Sequence, residues 1–289
     1  MMKAAVIGFG TISGTHMKAI AANDGMELAA ICDIKEELKV KVPEGVAFYT
    51  DYKQMCQEIK PDVVHICLPH YLHYPVTKDV VEMGFNVFCE KPVALNVEEA
   101  EAFAALEEAH PEVKIGICLQ NRMNDTTIEL KKILDSGEYG EIRGVRGFVP
   151  WYRDSSYYEV SPWRGIMQYA GGGCMINQAL HTLDLLYYFG GDISRIHAVV
   201  GQTNDLGIEV EGDIVRGLSM QTVPEVYSLP RPTTGQTNRY RSGSPARRLL
   251  SRLRTTGSTS SFPAVNGRYL WLPSAGTMPS STTVPLTRG

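Results

Sequence analysis

The start of the chain most constrains its fold, because a short apolar run leads directly into a glycine-rich turn and then into a helical pattern. The run ends at Ile7, and the turn holds Gly8, Gly10 and Ser13. Gly8 permits a tight strand-to-helix turn, Gly10 lets the backbone approach a pyrophosphate, and the small Ser13 lets the helix lie close to the sheet. The pattern predicts a dinucleotide-binding site at the helix N-terminus, formed by Gly8, Phe9, Gly10, Thr11 and Ile12.

A carboxylate ends the second apolar run, which covers residues 27–33. Asp33 therefore stands about twenty residues beyond the glycine turn, where a partner for the ribose hydroxyls is expected. Capping of the next helix is an alternative role for this side chain. Because Asp33 would repel a 2′-phosphate and no arginine follows it, the sequence favours NAD over NADP.

Short apolar runs continue to alternate with amphipathic segments, which predicts an α/β, doubly wound parallel sheet. Strands are predicted over 63–68, 86–89 and 114–119, and helices over 76–83 and 97–109. Ligands of such sheets bind at the carboxyl ends of the strands. This rule places the segments 69–73, 90–92 and 120–122 at one crevice. There Lys91 can direct its charge at a substrate hydroxyl, whereas a lysine in a loop is otherwise usually a solvated surface group.

A glycine turn at 171–173 precedes a predicted helix with one polar stripe. At 100° per residue, one narrow wedge holds Asn177, His181, Asp184 and Tyr188. A histidine on such a helix is either a core side chain satisfied by a neighbour or a group presented to a ligand. The nucleotide-binding start and the Glu90-Lys91-Pro92 segment favour the second interpretation.

Taken together, six segments resemble the glucose-fructose oxidoreductase, inositol dehydrogenase and rhizopine catabolism (Gfo/Idh/MocA) family. They are the glycine turn with His16, Leu68-Pro69 with His73, Glu90-Lys91-Pro92, Gln120-Asn121-Arg122, Trp163-Arg164-Gly165 and the 171–184 stretch. The resemblance covers roughly residues 1–215. It implies a Rossmann domain over 1–121 and part of an α/β substrate domain over 122–216, whose open sheet commonly forms a homo-oligomer interface.

The resemblance also implies an enzyme that moves a hydride between NAD and a carbon bearing a hydroxyl or carbonyl, on a sugar, a cyclitol or a related diol. Lys91 matches the lysine near nicotinamide and substrate, and His181 matches the acid-base histidine. Asn177 stands where inositol dehydrogenases carry an aspartate, so a three-residue proton relay is in doubt. Further cofactor contacts implied are Leu68, Pro69, His73, Glu90, Asn121, Trp163 and Arg164, the last of which is otherwise a surface cation.

Two other functions stay open at this point. One is glycoside hydrolysis through transient oxidation by a tightly held NAD, as in some members of the family. The other is an NAD-binding sensor or an inactive truncated product. No metal is called for by the chemistry, and the substrate partner is a small molecule rather than a nucleic acid or a membrane.

Composition is that of a globular protein, with 44% hydrophobic and 21% charged residues in 289. No apolar run is long enough to span a membrane, and the first residues lead straight into a strand without a signal peptide. The six cysteines have no metal-ligand spacing and are expected to be reduced. These features predict a cytoplasmic protein.

Charge changes sign along the chain. Residues 216–289 contain ten arginines and one acidic residue, giving +9, whereas residues 1–215 carry −13. Segment 217–289 is rich in Arg, Ser, Thr, Pro and Gly and lacks regular apolar periodicity, which predicts a disordered or out-of-frame tail. A basic nucleic-acid arm and a regulatory tail are the alternatives. The remaining substrate-domain strands, predicted over 141–151, 193–203 and 208–215, would then expose an edge and a face.

Overall fold

The structure is a computed structural model that describes residues 1–149, 151, 153–202 and 206–220, with 213–220 described by their backbone alone. Contacts between Cα atoms divide the chain into two compact units. The first contains residues 1–121 with the described residues of 150–184 and 196–217. The second contains those of 122–149, 185–195 and 218–220. The tail predicted over 217–289 is wrong for residues 217–220, which belong to a strand that pairs with a neighbour, and its remaining residues lie outside the described ones.

The predicted domain limits and these units differ in two segments. A change of unit does fall between residues 121 and 122. Residues 153–184 and the described residues of 196–216, however, group with the first unit although the sequence assigns them to the second domain. The reason is that 153–184 contacts the loops at the carboxyl ends of the parallel strands, and 209–211 bonds to 153–184.

Parallel strands form the sheet of the first unit, in the order β3-β2-β1-β4-β5-β6 among the described residues. They are β1 Met2–Ile7, β2 Met26–Cys32, β3 Ala47–Tyr49, β4 Val63–Ile66, β5 Asn86–Cys89 and β6 Ile115–Ile117. The strand order reverses at β1, which has β2 on one side and β4 on the other. A reversal of this kind creates the crevice where doubly wound sheets bind ligands. The predicted α/β fold class is confirmed, and β3 is an edge strand that the sequence did not predict.

Helices connect these strands. They are α1 Ser13–Ala21, α2 Tyr52–Ile59, α3 His73–Glu82 and α4 Val97–Ala109. Strand β5 and helix α4 have the predicted bounds, whereas α3 begins at His73 rather than at residue 76. Helix α2 was not predicted; it begins after Asp51, whose carboxylate accepts the backbone N–H groups of Lys53 and Gln54 at 2.7 and 3.3 Å.

Both faces of the sheet are covered. Ala5 and Ile7 of β1 belong to one buried cluster, and Ala4 and Val6 belong to another with Ile20 of α1. Successive side chains of a strand point to opposite faces, so a strand buried on both sides is apolar at every position. This is why the strands appear in the sequence as continuous apolar runs.

Three central strands end level with one another, and this places the site. Ile7 is paired with Ile66, and Ile66 is paired with Cys89. The backbone continues the pairing for one residue, because Cys67 N–H donates to the Ile7 carbonyl at 2.8 Å and Glu90 N–H donates to that of Ile66 at 3.0 Å. The loops after β1, β4 and β5 therefore leave the sheet side by side.

The predicted helix at 171–184 is irregular at its start. A π-helical turn covers Met175–Ala179, and the regular helix α8 begins only at Leu180 and ends at Gly190. The spacing of 100° per residue, which places Asn177 in one wedge with His181, is therefore wrong for Asn177. Two short helices precede this turn, α6 Ser155–Glu159 and α7 Met167–Ala170, and α5 Asp125–Asp135 lies in the second unit.

The substrate-domain strands differ from the prediction at two places. Strand β7, Ile193–Gly201, agrees with the predicted strand 193–203, and it pairs with β8, Asp213–Met220. Residues 208–212, predicted as part of a strand, are irregular because their backbone bonds to Gly165 and Cys174 instead. The strand predicted over 141–151 is wrong for its described residues, which form no regular element.

Strand β7 exposes apolar side chains, as predicted. Ile196 is 59% exposed, Val199 64% and Val200 61%. In the second unit, Leu130 and Ile133 of α5 are buried with Tyr139 and Phe189. No helix in the described part of the chain is long and apolar enough to cross a membrane. All six cysteines lie in that part and are free thiols.

Candidate active site

The glycine turn after β1 has the geometry of a close backbone crossing. Gly8 has a φ of +93°, and a Cβ atom built on it would lie 2.5 Å from the carbonyl oxygen of Cys67. A side chain is therefore excluded at Gly8 by both sterics and backbone conformation. Gly10, in contrast, has no described atom within 4 Å of the position that a Cβ would take. Ser13 is buried, and its hydroxyl donates to the Gly10 carbonyl at 2.7 Å, which holds the turn against α1.

The N-terminus of α1 leaves its backbone N–H groups available. Ile12 is the N-cap residue, with no capping side-chain bond, and the first turn contains no acidic residue. Gly10, Thr11 and Ile12 are all exposed. Free N–H groups at a helix start, next to an open glycine, fit the pyrophosphate of a dinucleotide.

Asp33 stands next to this turn at the end of β2. One carboxylate oxygen accepts the Phe9 N–H at 2.8 Å, and the other accepts the Lys35 N–H at 3.0 Å. Asp33 thus ties the glycine turn to the end of β2 as well as forming a local turn. The remaining lone pairs of the carboxylate fit the predicted role as a ribose hydroxyl acceptor.

The loop after β4 is fixed from behind by His73. This side chain is 1% exposed, and its Nδ1 and Nε2 lie 2.6 Å from the Pro92 carbonyl and 2.7 Å from the Leu68 carbonyl. Both ring nitrogens are occupied, so His73 joins the two loops to each other. Any contribution of His73 to cofactor binding passes through the half-buried Leu68 and Pro69 rather than through its own ring.

Glu90 is buried in a polar cluster that the sequence analysis did not identify. One oxygen lies 3.0 Å from His16 Nε2, the other accepts the backbone N–H of Lys91 at 3.2 Å, and His16 Nδ1 lies 2.9 Å from His65 Nδ1. Burial alone would raise the pKa of Glu90, but the hydrogen bond and charge of His16 outweigh it and hold the pKa below its usual value. A carboxylate is thereby kept ionised beside Lys91.

Ligand atoms of His16, Glu90 and Cys118 lie within 4.8 Å of one another, a grouping that could accommodate a metal ion. The direct hydrogen bond from His16 already satisfies one oxygen of Glu90. The ammonium group of Lys91 is close enough to influence the charge states of both Glu90 and Cys118. A neighbouring positive charge opposes cation binding, so this cluster is best explained as a hydrogen-bonded support for Lys91.

Lys91 and Asn177 are in direct contact across 86 residues of sequence. Lys91 Nζ donates to the Asn177 backbone carbonyl at 2.8 Å and to its Oδ1 at 3.3 Å. Asn177 Nδ2 in turn donates to the Tyr157 hydroxyl at 2.8 Å. Asn177 lies within the π-helical turn, and such turns occur frequently at functional sites. Its amide therefore connects Lys91 to Tyr157 rather than to His181.

His181 lies one helical turn further on and is buried. Gln120 Nε2 lies 3.3 Å from His181 Nε2, whereas His181 Nδ1 is buried without a partner among the described residues. An amide N–H donates, so with this amide orientation the lone pair is on Nε2. Burial lowers the pKa of His181, the charge of Lys91 lowers it further, and Glu90 and Asp184 oppose the shift. A neutral imidazole beside a protonated lysine has the charge state that a general base requires.

Trp163 and Arg164 lie beside these groups within the first unit. The Trp163 ring contacts that of His70 at a centroid distance of 4.7 Å, and the Arg164 guanidinium lies 4.4 Å from the centre of the Tyr157 ring. Arg164 also donates to the Tyr157 carbonyl at 3.3 Å. Asn121 follows Gln120 and is half-buried. The predicted site residues of the three strand-end loops and of the 171–184 segment are therefore assembled in one unit.

Three site residues were missed by sequence reasoning: Tyr157, Gln120 in its contact with His181, and Glu211. Glu211 accepts backbone N–H groups at the start of the π-helical turn. The signal that could have indicated a close contact there is the triple glycine at 171–173, since consecutive glycines suggest another backbone nearby. Tyr157 has no comparable signal, because tyrosines are frequent in the surrounding loop.

Two family descriptions match the chain. The GFO_IDH_MocA oxidoreductase family, with its NAD-binding Rossmann fold, matches residues 2–116, and the GFO/IDH/MocA C-terminal domain matches residues 127–220. Among curated relatives, D-glucoside 3-dehydrogenase of Escherichia coli is 28% identical over 66% of this chain and 54% of its own length. An inositol 2-dehydrogenase of Salmonella paratyphi B is 24% identical over 65% of this chain and 54% of its own length. The chain therefore spans about half the length of these curated relatives.

Solved structures agree with these matches. The WlbA dehydrogenase of Bordetella pertussis, crystallised with NADH and UDP-GlcNAcA, is 29% identical and superposes with a TM-score of 0.72 over 77% of this chain and 68% of its own. The myo-inositol 2-dehydrogenase of Lactobacillus plantarum is 25% identical, with a TM-score of 0.64 over 76% of this chain and 66% of its own. The glycine turn, the open N-terminus of α1 and Asp33 fit the NAD that such neighbours bind. The chain belongs to the GFO/IDH/MocA family of NAD-binding oxidoreductases.

Proposed function

We propose that this chain is an NAD-dependent dehydrogenase that acts on a secondary hydroxyl group of a sugar or cyclitol, or in reverse on the corresponding carbonyl. The observation that carries the proposal is the contact of Lys91 with Asn177 beside the buried His181. This arrangement joins a protonated donor and a neutral base on one unit of the chain. Both groups are needed where a proton and a hydride leave the same C–OH group.

Lys91 provides the donor. An ammonium group has three N–H bonds, and two of them point to the carbonyl and side-chain oxygens of Asn177. The third is left for the oxygen atom of the substrate, whose pKa a hydrogen bond from an ammonium group lowers. Burial lowers the pKa of Lys91, but the Glu90 carboxylate opposes this shift and favours the charged form.

His181 provides the base in the oxidative direction. The Gln120 amide N–H points at its Nε2 lone pair at 3.3 Å. A substrate hydroxyl that displaces this contact can pass its proton to Nε2. NAD, when bound, supplies the acceptor for the hydride of the same carbon. Asn177 holds Lys91 in place and is itself held by Tyr157, so it acts by orientation rather than by proton transfer.

The named activities of the relatives support a sugar or cyclitol as the substrate. Relatives that match about two thirds of this chain include dehydrogenases of a glucoside and of inositol. A glycosyl hydrolase of family 109 from Akkermansia muciniphila matches 34% of the chain. That match spans 110 residues, no more than the Rossmann domain alone, so it does not favour glycoside hydrolysis here.

The test is NADH formation from a panel of sugars, glycosides and cyclitols by the purified full chain. We expect turnover with at least one member of the panel, and Lys91→Ala should abolish most of it. NADH binding with no turnover on any member would support the sensor or inactive-product alternative instead. Release of an aglycone without net NADH formation would indicate glycoside hydrolysis.

A further inference from the structure

Three consecutive backbone N–H groups at the start of the π-helical turn bond to a single distant residue. Gly173 N–H donates to Glu211 Oε2 at 2.8 Å, and Met175 N–H donates to Glu211 Oε1 at 3.0 Å. Between them, Cys174 N–H donates to the Glu211 backbone carbonyl at 3.1 Å. Glu211 therefore satisfies the helix start, for which no side chain of the 174–179 segment forms a cap.

The close approach is built into the sequence at Gly173. A Cβ atom on this residue would lie 1.9 Å from the Glu211 carbonyl oxygen, which no real side chain can do. Nearby, Glu209 N–H donates to the Gly165 carbonyl at 2.8 Å, and Val210 is fully buried. The 209–211 segment is thus held along its length against the part of the chain that carries Trp163, Arg164 and the helix start.

The electrostatics of this contact are favourable. The N–H groups of a helix start carry a partial positive charge, and a carboxylate near them stabilises the helix. The Glu211 carboxylate occupies two of these N–H groups. An anionic group of a ligand has no access to the same N–H groups while Glu211 is in place. The contact is therefore structural and fixes the helix start.

This fixed start lies next to the site. Met175 stands two residues before Asn177 and six before His181, on the same helical segment. We propose that Glu211 is a positioning residue, which holds the helix start so that Asn177 meets Lys91 and His181 keeps its buried position. The proposal rests on the proposed dehydrogenase function, which it deepens. Displacement of reacting groups by about 1 Å can lower a rate about a hundredfold, so such a support has a measurable effect.

The test compares Glu211→Gln and Glu211→Ala with a matched control, Asp51→Ala. Asp51 also accepts two backbone N–H groups at a helix start, but at α2, which carries none of the residues assigned to proton transfer. All three variants lose capping bonds and should lose thermal stability. In the Glu211 variants kcat should fall about tenfold or more, Ala more than Gln, with the affinity for NADH unchanged. Asp51→Ala should keep the wild-type kcat.

A readout that needs no turnover separates this proposal from the proposed function. The ring nitrogens of His181 are followed by NMR of histidine-labelled full chain, assigned with the His181→Gln variant. We expect the His181 titration to move toward its ordinary value in the Glu211 variants, because a loosened helix admits water to the ring, and to stay unchanged in Asp51→Ala. A folded Glu211→Ala protein with the wild-type titration would overturn the proposal. Equal changes in Glu211→Gln and Asp51→Ala would overturn it as well. If Glu211→Ala does not fold, Glu211→Gln alone decides.

Discussion

In this site, the charge of one residue influences the pKa of the next. His16 bonds to Glu90, Glu90 faces Lys91, and Lys91 depresses the pKa of His181. Burial is the largest cause of the shifts of both Lys91 and His181. The result is a lysine whose charge is supported from behind and a histidine that stays neutral near pH 7. The contribution of each residue can therefore be measured by its own substitution.

Removal of either group should lower the rate of the chemical step. We expect Lys91→Ala and His181→Ala each to lower kcat about a hundredfold or more, since general acid-base groups contribute that much. NADH affinity, measured by fluorescence titration, should change little, because Gly10 and the start of α1 are untouched. If His181→Ala keeps most of the rate, His181 is a structural core residue.

Asn177→Asp tests the departure from the aspartate of inositol dehydrogenases. A neutral His181 is the active base in oxidation, so kcat/KM rises as pH rises through its pKa, which lies below 6.5 in this chain. A new carboxylate beside Lys91 would stabilise both cations and raise that pKa. We therefore expect the rise of kcat/KM to move to higher pH, by up to about one unit. An unchanged profile would mean that residue 177 does not influence the base.

Asp33 should decide between the two nicotinamide cofactors. We expect NADH to bind at least about tenfold more tightly than NADPH, a difference of about 1.4 kcal/mol. Asp33→Asn removes the charge and can still accept the Phe9 N–H. It should therefore reduce the difference in affinity between NADH and NADPH and leave the glycine turn in place. Equal affinities of the wild-type chain for the two cofactors would contradict the assignment.

At the scale of elements, close backbone contacts hold the glycine turn after β1 and the glycine turn before the π-helical turn. Gly8 lies against Cys67, and Gly173 lies against Glu211. In both places the glycine allows two segments to touch that are far apart in the sequence. Substitutions at glycines should therefore differ sharply in effect, according to what lies where the new methyl group would go.

Gly8→Ala and Gly10→Ala form a matched pair. At Gly8 the new Cβ would meet backbone atoms of Cys67 at 2.5 and 2.9 Å, with φ at +93°, so unfolding free energy should fall by about 2–4 kcal/mol. At Gly10 the space is open, and stability should be unchanged while NADH affinity falls about tenfold. Calorimetry and fluorescence titration measure the two effects. Similar behaviour of both variants would contradict the assigned roles.

The sequence predicted the elements that local patterns determine. Strand β5 and helix α4 have the predicted bounds because local signals mark their ends: β5 is a short apolar run between Asn86 and Glu90, and α4 begins after its N-cap Asn96 and ends before Pro111. The π-helical turn could not be predicted, since it depends on Lys91 and Glu211, which bond to it from elsewhere in the chain. The same holds for the bond of Asn177 to Tyr157. Long-range hydrogen bonds decided each of these features.

For the whole molecule, buried histidines couple folding to pH. Burial lowers the pKa of His65 to about 4, with the charge of His16 adding to the shift, and burial lowers that of His70 to about 3. An unfolded histidine titrates near 6.5, so between that pH and about 4 the unfolded chain binds more protons than the folded one. Stability is therefore full above about pH 6.5 and falls as the pH decreases toward 4.

Thermal unfolding at pH 7 and pH 5 tests this coupling. For each of the two histidines, the free energy of unfolding should be lower at pH 5 than at pH 7 by on the order of 1–2 kcal/mol. His65→Gln should reduce the loss, because one of the histidines with a lowered pKa is removed. A variant with the same pH dependence as the wild-type chain would show that His65 is not protonated on unfolding in this range.

The bond between Glu211 and the helix start also has a consequence for biosynthesis. The sheet of the first unit is complete once β6 has been made, at residue 117, whereas Glu211 follows Gly173 by 38 residues. During translation at about 5–20 residues per second, domains fold as they emerge, and distant contacts form last. The nucleotide-binding half can therefore be in place on the ribosome for several seconds before the helix of His181 receives its cap. A nascent chain of this protein would pass through a stage that can hold cofactor before it can carry out a reaction.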